Sequence, residues 1–132
     1  MSHKVTIKVK QMNREDLLAK VCEAKEWPQP LWRKVKLYNA SVEGFAVQLP
    51  GWRYPVVIDT RSTEAETPIH FDNYNGRWGV LKHLDTLKQA YQTELVLDTA
   101  RRSGLYSSIR TETILEGPDA GCVNVILEEY AI

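Results

Sequence analysis

The chain has 132 residues, 43% of them hydrophobic and 26% charged, and its seventeen basic side chains balance seventeen acidic ones. That composition predicts a soluble globular chain forming one domain over residues 1–132. It excludes a disordered tail, a coiled coil and a collagen-like chain, and no apolar run approaches the ~20 residues that a membrane-spanning helix needs.

Lys4 to Lys10 alternates, with Val5, Ile7 and Val9 on one side, and predicts a half-buried strand. Asn13 then suits a helix N-cap, with Asp16 three residues on in a variant of the capping box and Met12 and Leu17 placed as a hydrophobic staple. Leu17, Leu18, Val21 and Cys22 make one apolar stripe. Trp27-Pro28 is expected to end this helix, because a residue before proline avoids helical angles. Extended stretches follow at Trp32–Tyr38, Val42–Leu49, Tyr54–Thr60 and Pro68–Phe71, the last opening with proline as an edge strand permits. Tyr38-Asn39-Ala40-Ser41 reads as a tight turn, and Pro50-Gly51 as the centre of a type II turn.

A long second helix carries Leu84, Leu87, Tyr91 and Leu95 at the spacing of one face, with Leu81 upstream. Arg101 and Arg102 suit its negative end and Gly104 its C-cap. A final hairpin pairs Ser107–Glu116 with Cys122–Tyr130 around a turn at 117–121. This order predicts an α+β fold, a mainly antiparallel sheet with both helices packed on one face, for which a ferredoxin-like arrangement is one form.

Residues 1–66 hold eleven basic and eight acidic side chains, and residues 67–132 hold six and nine. So mild an asymmetry argues against duplex nucleic acid, whose binding rests on several phosphate contacts. The densest basic run, Arg33, Lys34 and Lys36, reads as a solvated strand face. Cys22 and Cys122 lack CxxC spacing, and MSHKVTIKVK lacks the apolar core of an export signal. Both are expected as free thiols in a cytoplasmic protein, with no disulfide, metal or other cofactor.

The fingerprints GxGxxG, GxxxxGKS/T, HExxH and GxSxG are absent. Chemically able side chains gather in two short glycine-flanked segments: Trp52, Arg53 and Tyr54, then Asp72, Asn73, Tyr74, Arg77 and Trp78. Aromatic faces and forked guanidiniums hold planar or anionic ligands by stacking and bidentate hydrogen bonds. The alternative is a structural junction, with Trp78 plugging the core beneath the second helix and Arg77 paired with Asp72 or Glu94. His70 and Asp72 alternate on one strand and offer an acid/base pair, but two ligands do not make a metal site.

The start Met1-Ser2-His3 with Thr6-Ile7-Lys8, the stretch from Leu49 to Val57, Asp72-Asn73-Tyr74-Asn75-Gly76-Arg77-Trp78-Gly79, and Leu87-Lys88-Gln89-Ala90-Tyr91 with Glu94, Ala100-Arg101-Arg102 and Gly104 go further. Together they resemble the conserved hypothetical chloroplast reading-frame family ycf thirty-five, a domain of unknown function. That resemblance implies a small α+β protein of a plastid, cyanobacterial, other bacterial or phage genome, placed in the stroma or in the bacterial or host cytoplasm. It implies no catalytic residue. The leading expectation is a non-enzymatic binding or accessory protein whose partner is a small planar or anionic molecule, a nucleotide being one version, or another protein. A small acid/base or hydrolytic enzyme using His70 and Asp72, and an assembly component that forms homo-oligomers through sheet edges, are the alternatives.

Overall fold

A computed structural model describes residues 4–118 and 123–130, so the MSH start, Cys122 and the tip of the last turn lie outside the described residues. The elements run β1 (Val5–Lys10), α1 (Glu15–Ala24), β2 (Leu31–Lys36), β3 (Ser41–Val47), β4 (Val56–Ile58), β5 (Glu66–Phe71), α2 (Leu81–Ser103), β6 (Tyr106–Thr113) and β7 (Val123–Glu129). The α+β class with a mainly antiparallel sheet and two helices holds. Met1–Lys88 and Gln89–Ile132 are two compact units.

In the first unit five strands form one sheet in the order β1-β5-β4-β3-β2, every neighbouring pair antiparallel. A ferredoxin-like sheet places its first strand in the middle. Here β1 lies at an edge, and the meander β2 to β5 fills the rest.

The registers assign side chains to faces, because successive residues of a strand point to opposite sides. Ile7, Ile69, Ile58, Phe45 and Trp32 line up across one face. Ile69, Ile58, Val56 and Val47 on that face are fully buried, as are Leu17, Leu18, Val21 and Cys22 of α1 to within 2%. The opposite face carries a smaller cluster of Val35, Leu37, Ala46 and Val57, with Val42 and Tyr54 packed against it.

Pro68 lies inside the sheet, between β1 and β4, not at an edge. Its carbonyl accepts the Asp59 N–H at 2.9 Å. A residue's nitrogen and carbonyl point to the same side of a strand, so the missing donor faces the Asp59 carbonyl, one residue past the end of β4. That reciprocal bond is absent, and the Asp59 carbonyl accepts the Ser62 N–H at 3.2 Å instead. The Pro50-Gly51 turn forms as expected, with Trp52 N–H donating to Leu49 O at 3.2 Å and Gly51 at φ 73°.

Helix α1 starts one residue later than its sequence cues suggest. Arg14 is the N-cap and makes no side-chain cap bond. Its guanidinium grips Asp16 instead, Nη2 to Oδ2 at 2.7 Å, and that hydrogen bond holds the Asp16 carboxyl below its usual range. The helix ends by its own geometry rather than at Trp27-Pro28. Trp27 N–H donates to Cys22 O and Glu26 N–H to Glu23 O, with Glu26 at φ 60°. This is a Schellman motif with glutamate in the left-handed position that glycine normally fills. Glu26→Gly is therefore expected to stabilise the protein by about 0.5–1 kcal/mol in chemical denaturation, since the left-handed penalty outweighs glycine's entropy cost.

Along α2 the buried side changes. At 100° per residue, Leu84, Leu87 and Tyr91 share one side, whereas the buried Leu97 lies about 115° round from its middle and Ala100 nearly opposite. Leu95 is half-buried and Leu81 is 51% exposed, so the single stripe expected from spacing holds only to Tyr91. Arg102 Nε meets Asp98 Oδ2 at 2.9 Å, and Gly104 caps the helix at φ 69°. In the second unit β6 and β7 form a two-stranded hairpin with Ile109 opposite Leu127.

Candidate functional site

The two glycine-flanked segments meet. Arg53 N–H donates to Trp78 O at 2.8 Å, Trp52 Nε1–H to Val80 O at 3.2 Å, and Asn73 Nδ2–H to Gly79 O at 3.2 Å. A left-handed coil aims the second segment. Tyr74, Asn75 and Gly76 have φ of 48°, 53° and 93°, and Gly76 N–H and Arg77 N–H close on Asn73 O and Tyr74 O. Asparagine and glycine tolerate such angles, but a tyrosine there is a strained exception.

The eight residues singled out from sequence divide by exposure. Trp52, Asp72 and Asn73 are buried at 4%, 1% and 6% exposure, which leaves them no surface for a ligand. Tyr54, Tyr74 and Trp78 are half-buried, and Arg53 and Arg77 are exposed. The core plug is thus Trp52, packed edge-on to Phe71 at 5.8 Å, and not Trp78.

Trp78 is instead the hub of a surface cluster. Its ring centroid lies 4.7 Å from Tyr74, 5.5 Å from Tyr38 and 5.8 Å from Tyr54. The Arg53 guanidinium lies 4.5 Å from the Trp78 ring and 5.5 Å from Tyr54, and that of Arg77 lies 5.1 Å from Tyr74. Tyr38 is the member that sequence reasoning missed. It sits in the β2–β3 turn, and only the folded hairpin brings it beside Trp78.

Arg77 does not pair with Asp72, and Glu94 lies in the second unit. Neither Arg53 nor Arg77 forms an ion pair among the described residues. Asp72 Oδ1 accepts the Tyr74 N–H at 3.2 Å, while its buried Oδ2 has no hydrogen-bond partner among the described residues.

His70 and Asp72 form no acid/base pair. His70 Nδ1 shares a hydrogen bond with Thr6 Oγ1 at 2.8 Å. Burial, and then the charge of Lys4, hold the imidazole below its ordinary range, opposed by Asp59. A lowered folded value means that the unfolded chain takes the proton first. Stability from this group is full above about pH 6.5 and falls as the pH drops below it. Between pH 7.5 and 5.5 the wild type is expected to lose more stability than His70→Gln, read from denaturation midpoints.

Burial raises the Cys22 thiol to about 11. Among the described residues no group of three His, Cys, Asp or Glu side chains could hold a metal ion, and no helix is long and apolar enough to cross a membrane. Compared with family models, curated proteins and solved structures, the chain matches none.

Proposed function

We propose that this chain is a non-enzymatic binding protein for a small anionic molecule, held at the Arg53–Trp78–Tyr74–Arg77 surface. The observation that carries this reading is the pair of guanidiniums, each lying over a ring and neither engaged by an acid. A guanidinium held over an aromatic ring keeps its in-plane N–H groups free, and their fork matches a phosphate or a carboxylate. Three tyrosine rings and Arg53 already pack against Trp78, so this surface offers charge more than a vacant stacking face. That favours an anionic group over a bare nucleobase, and a nucleotide fits through its phosphate. The resemblance to the ycf thirty-five family remains part of this proposal and assigns no residue.

Inorganic phosphate and adenosine monophosphate, titrated against tryptophan fluorescence, test the reading. Both are expected to bind, and Arg53→Ala and Arg77→Ala are each expected to weaken binding at least tenfold while leaving the fold intact. Arg77→Lys is expected to recover only part, because an ammonium lacks the fork. Binding of the nucleotide alone would move the recognition to the rings. Binding of neither would defeat the proposal.

A further inference from the structure

A second basic surface runs along the open edge of the sheet. Strand β2 pairs only with β3 among the described residues. The hairpin bond from Leu37 N–H to Ala40 O fixes the alternation of the ladder. Positions 35, 33 and 31 then bond toward β3, and Trp32, Lys34 and Lys36 turn their N–H and C=O groups outward. These outward groups are a row of unused donors and acceptors.

The side chains on this edge are cationic. Arg33, Lys34 and Lys36 are exposed, and none forms an ion pair among the described residues. The one acid directly opposite, Glu43 across from Lys34, accepts the Trp32 indole N–H at 2.9 Å. Arg61 lies 3.8 Å from the Trp32 ring centroid and extends the cationic row. In a chain with no net charge, an edge strand bearing three cations and no acid repels a second copy of itself and attracts a strand of opposite charge.

We propose that β2 accepts an extended acidic peptide segment by strand addition. Its main chain bonds to Trp32, Lys34 and Lys36, and carboxylates at alternate positions meet Lys34 and Lys36 on the face those two lysines share.

The test uses a ten-residue peptide in which glutamate alternates with valine and threonine. On binding, amide exchange at Trp32, Lys34 and Lys36 is expected to slow at least tenfold, while Arg33, already bonded to β3, stays unchanged. Lys34→Pro removes an outward donor without touching the β3 ladder, and is expected to weaken binding at least tenfold more than Lys34→Ala. A peptide with lysine in place of glutamate is expected not to bind. Equal binding of that peptide, equal affinity of the Pro and Ala variants, or unchanged exchange at the three amides would each overturn the proposal. So would preferred binding of a thymidine oligonucleotide, which would make the strip a polyanion surface.

Discussion

Trp52→Ala is expected to cost about 3–5 kcal/mol, measured as the shift in unfolding free energy in urea. The indole is 4% exposed, packs edge-on against Phe71, and donates to the Val80 carbonyl just ahead of α2. Truncation leaves a cavity and removes one of the two donors to the Val80 carbonyl, which keeps the His83 N–H at 3.1 Å. Trp78→Ala serves as the contrast. That ring is half-buried among Tyr38, Tyr54, Tyr74 and Arg53, so its loss is expected to be clearly the smaller of the two. An equal or larger loss at Trp78 would reverse the assignment of the plug.

Gly79→Ala is expected to destabilise by about 2–3 kcal/mol, near the upper end of overpacking costs. A Cβ there would lie 2.3–2.6 Å from three ring atoms of Trp52. Gly79 has no positive φ to excuse alanine's absence, so its smallness answers to the indole alone. The two substitutions share one contact and must not add. In a Trp52→Ala background, Gly79→Ala is expected to cost little, because the methyl group enters space that the ring has vacated. Additive losses would show that Gly79 is constrained by something other than Trp52.

The roles of these two tryptophans show where sequence reading stops. Trp52 and Trp78 both stand in short segments rich in arginine, tyrosine and glycine, and nothing local says which ring turns inward. The choice is made by Gly79, whose bare Cα lets the backbone before α2 come against Trp52. A glycine beside a helix start gives no sign of whether it serves a turn or a close approach. Elements with a strong period were legible. The alternation of β1, the turn at Gly51 and the cap at Gly104 all formed as read. Pro68 was not, because its tolerance depends on Ser62 N–H taking the Asp59 carbonyl that a proline cannot serve. Nor was the Arg14 cap, since arginine carries none of the usual capping chemistry. On α2 the spacing of Leu95 fits the first stripe, but burial had already moved off that stripe by Leu97. In the candidate site, the clustering of able side chains in two short segments was legible, and the freedom of Arg77 from Asp72 was not.

The edge position of β1 also bears on how the chain assembles. Strands β2 to β5 follow one another in sequence and pair with neighbours a short loop away. Strand β1 waits for a partner far downstream, from Glu66 opposite Lys10 to Phe71 opposite Val5. Closing so long a loop carries an entropic penalty that short hairpins escape. During synthesis β1 leaves the ribosome ahead of the other four strands of its sheet and is paired only once the last of them is complete. Until β5 is complete, VTIKVK travels unpaired, and the lysines that interrupt its apolar residues keep that nascent stretch from pairing with the wrong chain.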